Sequence, residues 1–261
     1  MAFPVNGYAD LDAAIADGML HYWPLDEAEG WDCHDYIGGL HGTASLSAYD
    51  AEDTIIQGLF GNARQLYRTS PTISSGRIEF LIPYEESGPL IPEWTMVARI
   101  YPFDPPAAAS GWPIVLGFHW NVWSGSNPFE GEGYCHVYYG GSNGGDPDRM
   151  LFEIWWDAQT STLHELDVPA PARDQWHTLA MVCDPQEGET RCYIDGTLVG
   201  TINAAPPVPF NSTAQISGNN PFRGAVDDIG IWSRALTAQE VSDAHATALV
   251  DDLTETTRVT A

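Results

Sequence analysis

The sequence predicts an all-β fold: a sandwich of two antiparallel sheets with a short N-terminal arm and one C-terminal helix. Three observations carry this. Between Met19 and Trp232, short runs of β-branched and aromatic residues alternate with clusters of Gly, Pro, Asn and Asp, the pattern of many short strands joined by turns. Asp195-Gly196 stands between two such runs and signals a tight turn. Thr237-Ala-Gln-Glu240 is a capping box. Thr237 can accept from the amide of Glu240, whose carboxylate can reach back, so a helix follows the last strand through about Leu249.

Composition narrows the function classes. At 261 residues and 44% hydrophobic content, the chain has enough apolar surface for one large all-β domain or two small ones. It carries 36 acidic residues against 10 basic ones, a net charge of −26, and every basic residue is an arginine. Such a surface repels nucleic-acid phosphates and anionic membranes. It suits a medium rich in salt or divalent cations, where counterions screen the self-repulsion, and it also serves simple solubility. No apolar run is long enough to span a membrane. The N-terminal residues lack a basic n-region and an apolar h-region, so a secretory leader is not expected there.

In chain order, residues 1–18 read as an arm with a helical turn at Leu11–Ala16. The run Met19-Leu-His-Tyr-Trp-Pro-Leu-Asp-Glu27 is a strand leading into a loop rich in Gly and acids. Gly61-Asn-Ala-Arg-Gln-Leu66 is a turn and strand, and Trp94–Pro102 is a long apolar strand. Ile114–Trp120, Tyr134–Tyr139 and Met150–Asp157 are strands separated by long loops. Trp176–Asp184 and Cys192–Val199 pair as a hairpin, and Gln215–Asn220 is a strand end. Val226–Trp232 alternates as a half-buried strand. Its alternation groups Asp227 with Ile229 and Ile231, and Asp228 with Val226 and Trp232. Residues 249–261 form a loose polar tail.

Several of these stretches together carry a resemblance. Phe222-Arg-Gly-Ala-Val-Asp-Asp-Ile-Gly-Ile-Trp-Ser-Arg-Ala-Leu-Thr-Ala-Gln-Glu-Val241 resembles the closing signature of laminin-G-like, concanavalin A-like jelly-roll domains. The Tyr22-Trp23 strand, the Gly61 turn, Trp94–Pro102 and the Trp176-His177…Asp195-Gly196 pair are similar to the same family, with Arg99 where it usually has an aromatic. The resemblance covers residues 19–248 and implies one jelly-roll domain.

The resemblance also implies a structural Ca²⁺. Hard cations take carboxylate and carbonyl oxygens. Acids cluster in the first loop (Asp26, Glu27, Asp32, Asp35) and at the start of the last strand (Asp227, Asp228), which lie near each other in such a fold. Asp26, Asp35, Asp227 and Asp228 are the expected ligands; the alternative is that they bond to loop amides.

Between Trp112 and Trp156 the chain interleaves aromatic residues with Gly, Ser and Asn, the mixture that stacks on sugar rings and reads their hydroxyls. Trp120, Trp123 and Tyr138 are the expected sugar contacts, although aromatics also fill sandwich cores, and Trp155 and Trp156 must face opposite ways. No Glu-x-Asp-x-x-Glu strand, nucleophile elbow or HExxH pattern is present, and Glu130, Glu132 and Glu153 are poor substitutes, so catalysis is not expected. Of the four cysteines, Cys183 and Cys192 lie on the arms of the expected hairpin and are the candidate disulfide; the alternative is four reduced thiols.

The expected function is therefore non-catalytic. The first reading is a virion surface component, a phage tail, decoration or receptor-binding protein, which needs no leader because lysis releases it. The alternative is a secreted Ca²⁺-dependent carbohydrate-binding module, with a glycoside hydrolase a distant third. The expected partners are other virion proteins, cell-surface glycans or a second copy of the chain.

Overall fold

A computed structural model of the chain describes residues 17–46, 54–59, 61–66, 76–81, 90–103, 114–122, 131–140, 146, 148–156, 162–206, 208–209, 213–216 and 222–246. In chain order the strands are β1 (Met19–Trp23), β2 (Asp32–Cys33), β3 (Gly42–Leu46), β4 (Ile55–Gln57), β5 (Asn62–Gln65), β6 (Gly76–Leu81), β7 (Leu90–Ile91), β8 (Trp94–Pro102), β9 (Ile114–Val122), β10 (Gly131–Tyr139), β11 (Arg149–Trp156), β12 (Thr162–Pro169), β13 (His177–Asp184), β14 (Glu189–Ile194), β15 (Thr197–Ile202), β16 (Val208–Pro209), β17 (Thr213–Ile216) and β18 (Gly224–Trp232). One helix, α1 (Ala238–Ala246), follows. The expected arm, apart from Asp17 and Gly18, and the tail lie outside the described residues.

Sixteen of these strands form two eight-stranded antiparallel sheets, and β7 and β16 pair as a two-stranded one. The first runs β15-β14-β13-β8-β18-β5-β4, with β1 also on β18; the second runs β12-β11-β10-β9-β17-β6-β3-β2. A jelly-roll sandwich is thus what the chain forms, and the apolar alternation explains its layers. On β13, Leu179, Met181 and Cys183 point into the core between the sheets, while Ala180 and Val182 belong to a second cluster with Tyr22, Trp232, Leu236, Val241 and Ala244. That second cluster lies between the first sheet and α1. A strand covered on both faces must be apolar on both, which is why His177–Asp184 reads as a continuous hydrophobic run.

The capping box forms as expected. The Thr237 amide donates to Glu240 Oε2 at 2.7 Å, and the Glu240 amide donates to Thr237 Oγ1 at 3.2 Å. Asp195 and Gly196 both have positive φ, 51° and 69°, the backbone of a type I′ turn. This turn joins β14 to β15. The expected two-strand hairpin is therefore a three-strand meander, β13-β14-β15.

The last strand departs from simple alternation. Val226 and Ile229 both face the core between the sheets, and Trp232 faces α1. The register of β18 against β8 slips between Asp227 and Gly230, and Asp228 has φ of 43°. A bulge here inverts the parity expected from the sequence. It falls where β18 changes neighbour: Ala225 and Val226 pair with β5, whereas Ile229 to Trp232 pair with β1.

Candidate functional site

The second sheet presents an outward face on which, among the described elements, no helix lies. Strand alternation on β10 sends Cys135 and Val137 into the core and Tyr134, His136 and Tyr138 outward. Opposite them on β11 stand Trp155, Glu153 and Leu151, and beyond these on β12 Leu163, Glu165 and Asp167. The aromatic rings form a row. Trp155 stacks on Tyr134 at 5.5 Å between centroids, Tyr134 on His136 at 4.4 Å, and His136 meets Tyr138 edge-on at 5.4 Å. The His136 ring lies directly over Gly117 of β9, where a Cβ would come within 2.3 Å of its Cδ2. Only glycine leaves that space.

Glu153 anchors the row from beneath. It is 5% exposed, and the Tyr138 hydroxyl donates to its Oε1 in a long bond of 3.5 Å while standing 2.7 Å from His136 Nδ1. Burial pushes the Glu153 carboxyl above its ordinary pKa; a bond from Tyr134 opposes the rise, and the facing carboxyl of Glu165 adds to it. Glu153 and Glu165 are direct cross-strand partners. Two like charges so placed oppose each other, and the buried one keeps its proton more readily. Burial and Glu153 together also raise the phenols of Tyr134 and Tyr138.

The expected sugar contacts fall in three different places. Tyr138 is on this face but only 7% exposed, so it supports the row from within. Trp120 is paired with Gly133 along the β9–β10 ladder, and its side chain lies outside the described residues. Trp123 lies outside the described residues. The half-buried Trp155, beside Leu163 at 45% exposure, occupies the outward position instead. Alternation tells that one of Trp155 and Trp156 faces out. Only the pairing with β10 tells which.

The four expected metal ligands separate into different roles. The Asp35 carboxylate accepts His21 Nδ1 at 2.7 Å and the amides of Tyr22, Ile37, Gly38 and Leu40 at 2.8–3.0 Å. Burial would raise its pKa, but these donors outweigh burial and hold it low. Five N–H groups occupy both oxygens, so Asp35 organises its loop. Asp228 pairs with Arg99 Nε at 2.9 Å and accepts the Tyr22 hydroxyl. The same guanidinium donates to the carbonyls of Ala244, at 3.0 Å, and His245, latching the C-terminal end of α1 to the sheet. Asp228 is the counter-ion of that latch.

Asp26 and Asp227 remain. Asp227 is fully buried; among the described residues its Oδ1 accepts the Asp228 amide at 3.0 Å and its Oδ2 a long 3.3 Å bond from the Leu59 amide. Burial, then the charges of Asp228 and Asp26, push its pKa well up. The Gly58 backbone passes so close that a Cβ there would sit 2.5 Å from Asp227 Oδ2. Asp26 Oδ1 accepts the Asn62 amide from the same β4–β5 turn. Glu27 turns instead to His34 and Arg64. Among the described residues no group of three or more His, Cys, Asp and Glu converges. A cation held by Asp26 and Asp227 would therefore need backbone carbonyls or water to complete its shell.

The expected Cys183–Cys192 disulfide is not formed: all four cysteines are free and buried. The register explains this. Cys183 lies opposite Thr190, and Cys192 opposite Met181, so the two are diagonal rather than facing. Burial pushes the Cys33 and Cys183 thiols up to about 12 and keeps them protonated.

The family model described as the concanavalin A-like lectin/glucanases superfamily matches residues 94–242, more than half of the chain. The chain belongs to that superfamily. The match runs from β8 into the first half of α1 and includes the aromatic row and both aspartates of the bulge. No curated protein matches the sequence. Among solved structures, domain 4 of AbnA, a GH43 extracellular arabinanase from Geobacillus stearothermophilus in complex with arabinotriose, is 18% identical, with a TM-score of 0.58 over 86% of this chain and 97% of that one. The receptor-binding domain of botulinum neurotoxin D is 11% identical, with a TM-score of 0.62 over 89% of this chain and 53% of that one. The Trypanosoma rangeli sialidase is 14% identical, with a TM-score of 0.60 over 91% of this chain and 34% of that one. The superfamily member described here thus spans about half of the toxin domain and about a third of the sialidase, and shares their fold.

Proposed function

We propose that the chain is a non-catalytic carbohydrate-binding domain whose sugar site is the outward face of the second sheet, centred on Trp155. The observation that carries this reading is the ring row Trp155–Tyr134–His136–Tyr138, fixed from below by Glu153 on a sheet face that no described helix covers. A half-buried indole held rigid by its neighbours offers an apolar surface for the C–H face of a sugar at little entropic cost. Carboxyl and hydroxyl groups alongside read the sugar hydroxyls. The arabinotriose complex of AbnA domain 4 and the receptor-binding role of the toxin domain support the reading by analogy of fold.

A binding role is favoured over glycoside hydrolysis by the carboxyl pair itself. Hydrolysis needs two carboxyls roughly 5–9.5 Å apart on either side of the scissile bond. Glu153 and Glu165 face each other directly across one ladder and are coupled by a hydrogen bond, which leaves no room for a sugar linkage between them. A structural Ca²⁺ at Asp26 and Asp227 belongs to the same proposal. It would neutralise a buried carboxylate that among the described residues accepts the Asp228 and Leu59 amides but has no cation, and tie the first loop to the last strand. Adhesion to a cell-surface glycan is the activity that a virion surface protein and a secreted lectin have in common.

The test is a tryptophan-fluorescence and calorimetric titration with a panel of polysaccharides, with Ca²⁺ and with chelator. Saturable binding that Trp155→Ala abolishes, in a variant with unchanged circular dichroism, is the expected result. Binding that survives Trp155→Ala would move the site elsewhere. Hydrolysis of any panel member would overturn the non-catalytic reading.

A further inference from the structure

We infer that Glu165 is the specificity-determining residue of this face and that it selects sugars bearing a free amino group, an N-deacetylated hexosamine chain. This rests on the sugar-binding reading of the Trp155 face. Leu163, Glu165 and Asp167 alternate outward along the edge strand β12, all three exposed. Leu163 faces Trp155 and Glu165 faces Glu153, so Glu165 is the diagonal neighbour of Trp155. Diagonal neighbours on a sheet lie roughly 7–8 Å apart. That spacing places a substituent of a pyranose resting on the indole over the Glu165 carboxylate.

The charges around the face differ in how they are balanced. Arg149 of β11 donates Nε to Asp167 Oδ1 at 2.8 Å and Nη2 to the Asp167 carbonyl at 2.9 Å, so Asp167 is already neutralised. Among the described residues no cation pairs with Glu165, and its cross-strand partner is another carboxyl. Glu165 shares a hydrogen bond with Glu153 but has no counter-charge among the described residues, and a ligand ammonium supplies that charge. Conversely, a uronate or sialate would bring a third carboxylate to this row. Arg149 is committed to Asp167, the His136 ring is held between Tyr134 and Tyr138, and the chain, at −26 with no lysine, is repulsive overall. An acetylated amine loses the charge and adds bulk at the same position.

The test uses four β-linked tetrasaccharides on the full chain: glucosamine, N-acetylglucosamine, glucose and a uronic acid, at physiological and at high salt. The glucosamine tetramer is expected to bind at least about tenfold tighter than the N-acetylated one. Glu165→Gln should erase that preference, while Glu187→Gln, in the β13–β14 turn of the other sheet, should keep it. Trp155→Ala should lose binding of the amino sugar. Equal or tighter binding of the acetylated, neutral or uronate chains would overturn the inference while leaving a sugar site in place. Amino-sugar binding that survives Trp155→Ala, or that Glu187→Gln weakens as much as Glu165→Gln, would show bulk charge attraction and overturn it too. No binding of any tetramer by the folded protein would remove the sugar-binding reading along with it.

Discussion

Replacing Arg99 with Met tests how the helix is held and what Asp228 is for. The guanidinium is 1% exposed and joins Asp228, Thr178 and the last carbonyls of α1. Met keeps most of the aliphatic volume and removes the charge. Asp228, 2% exposed, then lacks its cation, and breaking a buried pair in this way costs about 3–5 kcal/mol. The Ala244 and His245 carbonyls lose donors, but a helix end can rehydrate, so about 1 kcal/mol more is a ceiling. The expected loss is about 4 kcal/mol.

Asp228→Asn is milder. Asn tolerates the positive φ of 43° at this bulge and keeps an acceptor for Tyr22 and Arg99. About 2 kcal/mol is expected, and the double variant should be scarcely worse than Arg99→Met alone, a coupling of about 2 kcal/mol. Urea unfolding followed by fluorescence and circular dichroism, with Ca²⁺ held constant, gives all four corners of the cycle. Strictly additive losses, or a loss below about 1 kcal/mol for Arg99→Met, would refute the latch. So would a Ca²⁺-induced rise in melting temperature that disappears in Asp228→Asn yet persists in Asp227→Asn.

Four further outcomes follow from the same geometry. Asp227 has its pKa raised above the ordinary 3.8, so the metal-free folded state binds more protons than the unfolded chain, and stability should fall as pH rises through that window. Melting temperatures in chelator from about pH 4 to about pH 8 should show this slope, with Ca²⁺ or Asp227→Asn flattening it; a slope identical in all three would exclude Asp227 as its source. Thr237→Ala should cost about 1 kcal/mol, since it strips one arm of the capping box. Glu240 acts with the opposite sign to Asp227: Arg234 and Thr237 pull its pKa from the ordinary 4.5 down to about 2, so its contribution is full above 4.5 and is lost progressively as pH falls from there through about 2. The four thiols should resist alkylation in the native protein and all react in denaturant without reductant, because each is buried and free. Fewer than four reactive thiols would reveal a disulfide.

Much of the architecture could be read locally. Short-range chemistry fixes the Asp195-Gly196 turn and the Thr237–Glu240 box, because each is decided within four residues, and both form as written. The long strands β8, β9, β10, β11 and β13 follow from apolar runs that must be buried. The edge strand β12 was not legible: its one half-buried face gives His164, Leu166 and Val168 against exposed Leu163, Glu165 and Asp167, so its inward set is short and mixed. The Tyr138 position was legible as an outward residue of β10 but not its 7% exposure, which depends on neighbours distant in sequence.

The sequence by itself determined the class of fold, the closing helix and its cap, and the acidic surface, since these rest on periodicity, local hydrogen bonds and composition. Tertiary structure alone decided how the functional groups divide. A single bulge at Asp227 and Asp228 breaks the alternation, so one aspartate becomes the counter-ion of Arg99 and the other is left buried beside Asp26. The pairing of β11 between β10 and β12 selects Trp155 as the outward tryptophan and sets Glu153 against Glu165. Register is a relation between segments far apart in the chain, and no local pattern encodes it.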